Sequence, residues 1–585
     1  MKSKIRKTSL FITSLVTILG ININLNKDLN FFESLNCNDI KYVFEFIGLI
    51  YILKKVRFDN KKLNICCLII SILLSSMHLI GYYINNYMYL CGMYSTKSNI
   101  IKSIFSFIGY MVIIYLGCYF LFDKIKNVKL GEIKTLKKLE KLNNIKVFSI
   151  FFILLFIAYL PYFLNFYPGI MSFDSIFQIH QSIGIEKFTA HHPVLHTLII
   201  KLCIKLGLII NGSYELGTGI YSFIQILFMS FVFATVLTYM KKNNINLKLV
   251  ILFLLYYMFY PVFGMYSVTM WKDVPFALAF SLYIICIYEI ICNKDEYLKS
   301  KKSNVLFIVS TLLMIFFRNN GFYVFILTIP FVYIYAKKYY KKLTIIFVII
   351  IFIYKFVNGP VLNYFNTEKG SIKEALSVPL QQLARVEINK HDFLTDYEYT
   401  EIHNFIKIDN IKLYYNPKLS DPIKEKFNVE YFEKNKLKFI KLWVSLFFKY
   451  PKEYIESFLC NSVGYWYPET VHTVISKNIY HFDKGIYLER NSIIKIDLIE
   501  KWTNFIEARN VPVIAMIFSI GANMWIIFIL FMYCIYSKKY NLFLLYIPVF
   551  ALWLTILASP VHAEYRYIFG IFTTLPFVIS VTLKK

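Results

Sequence analysis

The chain has 585 residues, of which 57% are hydrophobic and only 17% charged, and its mean hydropathy is +0.53. A soluble protein of this size keeps far more charge on its surface; the long uninterrupted apolar runs call for a bilayer instead. The formal net charge of +28 collects in short loops between those runs, as the positive-inside rule expects, and no basic patch lies in a soluble module, which argues against nucleic acid as a partner.

The basic start, Lys2 to Lys7, followed by an apolar stretch reads as a first anchor helix. Four spans are predicted at about 9–22, 42–53, 63–84 and 101–122. The basic segments 54–62 and 123–146 belong in the cytoplasm and the acidic loop 28–39 outside. A fifth span, 147–166, delivers 167–190 to the outer face. Residues 192–210 are apolar enough to span, but Lys201 and Lys205 lie mid-segment. A lysine near the bilayer centre costs roughly 2.5–3.5 kcal/mol, so this stretch is expected to lie in the outer interface, with its lysines reaching water. Spans at 216–240, 249–266 and 274–292 follow. Residues 305–335 would be too long for one crossing of about 30 Å and would strand Arg318, so a hairpin with Arg318 at the outer surface is predicted. After 343–357 comes a polar stretch, 358–510, read as an extracytoplasmic mixed or α domain; within it 437–450, with Lys438, Lys441, Trp443 and paired Phe residues, resembles another interfacial helix. Spans at 511–536, 542–558 and 568–583 end the chain. The expectation is an all-α polytopic membrane protein of about fourteen spans with both termini cytoplasmic. It divides into an N-terminal four-span module with its basic loop (1–146), a membrane core (147–357) whose first outer loop is 167–215, the outer domain, and a C-terminal three-span module (511–585).

The ten cysteines offer no disulfide framework and no CxxC motif. The polar residues that interrupt apolar context gather on one predicted surface: Asp174 after Tyr167-Pro168-Gly169, the pair Lys272-Asp273, Arg318 with Asn319-Asn320-Gly321, and His562-Ala563-Glu564-Tyr565-Arg566-Tyr567. A carboxylate base and Arg or Lys donors for phosphate are what transfer from an anionic lipid needs. Each also has a plainer reading. Asp174 would serve as a helix cap, Lys272 and Asp273 as a solvated pair, and Arg318 and Arg566 as headgroup anchors. His192 and His196 stand at i, i+4, but a zinc site needs a further matched ligand, and no HExxH occurs; no metal ligands are assigned.

At these residues the chain resembles the GT-C superfamily of membrane glycosyltransferases, which use polyprenyl-phosphate-linked sugars, and is most similar to a largely uncharacterised bacterial family of GT-C-like polytopic proteins. The resemblance rests on Tyr167-Pro168-Gly169, Ser172-Phe173-Asp174 and Gln178, His191-His192-Pro193, Thr269-Met270-Trp271-Lys272-Asp273, Phe317-Arg318-Asn319-Asn320-Gly321, Val378-Pro379-Leu380-Gln381-Gln382 and Glu564-Tyr565-Arg566-Tyr567. It covers about 147 to the C-terminus. It implies a GT-C-like helix bundle, Asp174 and Asp273 as catalytic carboxylates, and Lys272, Arg318 and Arg566 as ligands of the donor phosphate. It further implies Gln178, His191, His192, Gln381, Gln382, Arg385, Glu564 and Tyr567 as substrate-binding residues. The implied reaction is inverting transfer, on the outer face of the plasma membrane, from a polyprenyl-phosphate sugar to a glycan, lipid or protein acceptor. Trp-Lys-Asp stands where relatives have an acidic pair or Thr-Asp, so their divalent-cation dependence stays open. The rival expectations are a transporter or lipid flippase, which wants ionisable residues and broken helices at the bilayer midplane, and a non-catalytic envelope scaffold.

Overall fold

The computed structural model describes residues 2–35, 39–57, 59–127, 137–172, 174–368, 370–471, 488–504 and 512–584. The protein is an all-α, multi-pass membrane protein: the described residues form helices joined by short turns, with isolated bridges and no strands. Nine described helices are long and apolar enough to cross a membrane, or ten when the bent pair Leu247–Phe259 and Pro261–Ser267 is taken as one span. That pair, expected as one span over 249–266, turns by 56°, because Pro261 has no N–H to continue the ladder and clashes with the preceding turn. Shorter apolar helices, among them Thr8–Asn22, Asn319–Tyr335 and Ile520–Tyr536, fill out the bundle.

The helix starts follow from local chemistry. Asn60, Asn143, Ser213, Asn246, Ser300 and Ser519 each accept a backbone N–H of the first turn, satisfying donors that have no partner inside the helix. Close packing uses glycine where backbones meet. A Cβ on Gly20 would stand 2.0 Å from the Phe105 carbonyl oxygen, and one on Gly207 2.3 Å from the Gly217 nitrogen; small residues let helices in a bilayer approach this closely.

The expected hairpin at Arg318 is present. Lys301–Phe317 and Asn319–Tyr335 are separate helices, with Arg318 extended between them. Tyr354 touches Phe316 and Phe322, while Phe347 touches Phe307, Phe325 and Tyr333. Those pairings set the two helices antiparallel, with Arg318 at the tip.

The bundle has two chemically distinct ends. At one, lysines bridge the turns: Lys62 reaches Tyr540, Lys241 the Leu142 carbonyl, Lys242 Glu289, Lys294 the Tyr335 carbonyl, Lys338 Asp295 and Lys539 the Thr582 carbonyl. At the other end stand Asp174, Lys272, Asp273, Arg318 and Arg566, and residues 370–471, of which 376–454 share a core of their own, pack there. Ser377 bonds Ser559, Tyr465 donates to the Val561 carbonyl, and Arg385 donates to the Met88 carbonyl beyond the Lys61–Tyr87 helix.

The 192–210 segment becomes the helix Val194–Asn211, whose length and composition alone would allow a crossing. Its contacts with the next helix fall near that helix's start: Gly207 and Ile204 meet Gly217, and His196 meets Tyr221. Lys201 and Lys205 are both exposed.

Candidate functional site

The first loop is pinned to the 268–272 turn by backbone bonds. Ile170 donates to the Val268 carbonyl at 2.8 Å and Met270 to the Ile170 carbonyl at 2.9 Å. Ser175 Oγ donates to the Met270 carbonyl, and Gln225 Nε2 holds the Tyr266 and Thr269 carbonyls at 2.8 and 2.7 Å. Gly169, at φ +130°, sits where a Cβ would lie 2.1 Å from Ser222 Oγ, so only glycine lets the loop lie this close.

This pinning sets Asp174, first residue of the helix Asp174–Ile183, opposite Lys272. Asp174 Oδ2 lies 2.8 Å from Lys272 Nζ and 3.2 Å from Arg566 Nη1. Asp273 is fully buried and pairs through Oδ1 with Arg318 at 2.5 Å, while its Oδ2 has no hydrogen-bond partner and keeps one acceptor unused. Arg318 stacks over Tyr567 at 4.2 Å, Arg566 lies between the Trp271 and Tyr567 rings, and Glu564 approaches Arg566 Nε at 3.6 Å. A solvated Lys272–Asp273 pair does not describe this geometry. Lys272 and Asp273 pair with different partners and are largely or wholly buried, and Asp174 forms ion pairs with two cations.

The electrostatics follow from burial. Burial alone would raise the Asp174 pKa, but Lys272 and Arg566 outweigh it and hold the carboxylate well below its usual range. Glu564 is pushed up by burial, against the pull of Arg566. His192 is pulled down to about 3, first by burial and then by Lys272, so it is neutral at pH 7. Lys272 Nζ donates to its Nδ1 at 3.0 Å, which leaves the ring proton on Nε2.

Two cavities meet at His192. One, of about 480 Å³, is open and lined by Asp174, Phe177, Gln181, Glu186, Lys187, Thr189, His191 and His192. The other, also about 480 Å³, is an apolar groove between the start of Val194–Asn211 and the ends of Lys301–Phe317 and Tyr340–Phe356, lined by His192, Leu195, Ile315, Phe316, Tyr354 and Val361 among others.

Residues 184–585 match the model of a family of unknown function, DUF6020. The chain belongs to that family. No curated protein and no solved structure matches it. The DUF6020 match includes Lys272, Asp273, Arg318, Glu564 and Arg566 and begins after Asp174.

In this DUF6020 protein the remaining expected site residues divide. His191, exposed, and His192 line the cavity that Asp174 lines, and Glu564 and Tyr567 join the cations. Gln178 is buried in a chain of polar groups: its Oε1 meets His196 Nδ1 at 2.9 Å, its Nε2 donates to Thr197, and His196 Nε2 meets Tyr221 at 2.6 Å. Both His196 nitrogens are therefore engaged, and among the described residues no group of three or more His, Cys, Asp or Glu forms a metal site. Gln381 and Gln382 are buried within the segment that packs on this end of the bundle, and Arg385 is buried where that segment meets Met88 and Tyr89. Gln381 bonds the Asn416 carbonyl, Gln382 the Tyr454 carbonyl and Trp443, and Arg385 pairs with Glu453 and Glu456 at 3.1 and 2.6 Å. Sequence reasoning missed Trp271 as a ring facing Arg566, although the motif contained it. It also missed the groove wall at Tyr354 and Val361, for which no local signal exists.

Proposed function

We propose that the protein is a GT-C-type membrane glycosyltransferase that moves a sugar from a polyprenyl-phosphate donor to an envelope acceptor. The observation that carries this reading is the meeting, at His192, of a largely apolar groove with an open pocket lined by Asp174, whose carboxylate pairs behind it with Lys272 and Arg566. A lipid-linked phosphate has that division: a long apolar chain and an anionic head. The groove takes the first isoprene units; the cations take the phosphate.

The reaction is an inverting displacement. The acceptor hydroxyl oxygen attacks the anomeric carbon, its proton passes to a carboxylate, and the bond from that carbon to the phosphate oxygen breaks with its electrons leaving on the lipid phosphate. Preorganised cations stabilise that leaving charge. Clasped by two cations, Asp174 is a weak base; a donor phosphate that draws Lys272 and Arg566 toward itself makes Asp174 more basic as the acceptor arrives. Asp273, fully buried, holds Arg318 in place beside Tyr567.

The same reading takes the fold as GT-C-like with about fourteen passes, the shorter apolar helices included. It sets the lysine-bridged end, with both termini, in the cytoplasm and the site outside the plasma membrane, in accord with the positive-inside rule. A flippase would want its ionisable groups at the bilayer midplane, whereas these stand at helix ends.

The test is mass spectrometry of envelope glycans and glycolipids from cells with and without the gene. Loss of a defined sugar from one envelope component is expected; identical profiles would count against transferase activity.

A further inference from the structure

The helix Lys436–Lys449 is apolar on two faces. Phe439, Leu442 and Leu446 pack inward against the domain's own core. Leu437, Ile440, Val444, Phe447 and Phe448 form a second stripe that faces outward, and Leu437 and Phe448 are 75% and 76% exposed. A helix of a soluble domain needs only one apolar face; a second one seeks an apolar surrounding.

Its position says which. The helix contains four lysines and no acidic residue, and the next helix, Pro451–Ser462, starts two residues on. That helix stands over the turn joining the candidate spans Lys61–Tyr87 and Lys97–Lys126: Lys452 lies over the Tyr94 ring at 6.0 Å, and Glu456 accepts the Leu90 N–H at 2.9 Å. Phe447 and Phe448 are thus close in sequence to the level at which two spans leave the bilayer. Phe393, 69% exposed, extends the apolar surface at the same end, where Tyr450 donates to its carbonyl. Three of the lysines are held by Glu433, Glu401 and Glu398 of the same domain, so buried apolar area, more than net charge, drives the contact.

We infer that the Lys436–Lys449 helix lies in the headgroup–acyl boundary of the lipid leaflet at the site end, its Leu437–Phe448 stripe among the acyl chains, and so holds the 358–510 domain down onto the membrane beside the site. This goes beyond the transferase reading and does not rest on it, since turnover does not enter its test.

The full chain, with Cys37, Cys91 and Cys292 changed to serine, is reconstituted into lipid nanodiscs. It carries a nitroxide at Leu437→Cys or Phe448→Cys, with Asp409→Cys, an exposed polar position of the same domain, as reference. All three labels replace exposed side chains, so the fold is kept. Collision with oxygen, which concentrates in lipid, is compared with collision with a water-soluble nickel chelate. The labels at 437 and 448 should favour oxygen several-fold over the 409 label. Nickel access at 437 and 448 equal to that at 409 would overturn the inference, as would shielding from both reagents, which marks a second copy or another protein on this face.

Discussion

Arg566 Nη1 lies 3.2 Å from Asp174 Oδ2, although the two residues are 392 positions apart. The last helix of the bundle thereby closes onto the first helix of the site, and Lys272 completes a carboxylate held by two cations from two further segments. Such a cluster is held by the whole fold, so its members can be tested for stability and function separately.

The Asp273–Arg318 pair should act as a buried ion pair. Asp273→Ala leaves the Arg318 guanidinium without its partner and is expected to cost about 3–5 kcal/mol. The double variant Asp273→Ala/Arg318→Met should recover most of that loss. Unfolding in detergent, followed as a double-mutant cycle, measures it; additive losses would show that the two side chains are not coupled.

His192 gives a pH dependence with a fixed sign. Its unfolded value is near 6.5 and its folded value about 3, so the unfolded chain takes up a proton that the native ring refuses. The contribution is complete above pH 6.5 and is lost as pH falls from there toward 3, by up to about 1.4 kcal/mol per pH unit. His192→Gln should flatten the stability–pH curve in that window and leave it unchanged above pH 7.

The groove should select for chain length. Leu195→Trp fills part of the apolar cavity beside His192. With a long polyprenyl donor KM should rise about tenfold, that is about 1.4 kcal/mol of lost binding, while kcat and the KM for a donor cut to two isoprene units stay near the wild-type values. Equal effects on both donors would place the lipid elsewhere.

Much of this arrangement was legible in the sequence. A single arginine in a long apolar run forced the break at Arg318, and the lysine-rich turns fall together at one end of the bundle. Charged motifs far apart were expected on one surface because each fell at the same end of its span. What was not legible depended on tertiary packing. Gln178 carries the same polarity whether it faces a substrate or, as here, His196 and Thr197. Arg385 gave no local sign that Glu453 and Glu456 would enclose it. The second apolar face of Lys436–Lys449 resembled a membrane-surface helix, but only the fold shows that its inner stripe is already taken by the domain core.

Arg385 yields a prediction opposite in kind to those for the cation cluster. Arg385→Met removes the partner of two buried carboxylates, Glu453 and Glu456, and should destabilise the protein by about 3–5 kcal/mol. The fraction that folds should keep a wild-type KM for donor and acceptor. A raised KM without lost stability would return Arg385 to the list of substrate ligands.

The most direct test of the account follows a polyprenyl-phosphate sugar in proteoliposomes by mass spectrometry, with wild-type protein and with Asp174→Asn. The wild type should convert the donor to polyprenyl phosphate as the sugar appears on an acceptor, and Asp174→Asn should slow this by about a hundredfold or more. Equal turnover by the two proteins, or movement of the intact donor across the bilayer with no bond broken, would contradict it.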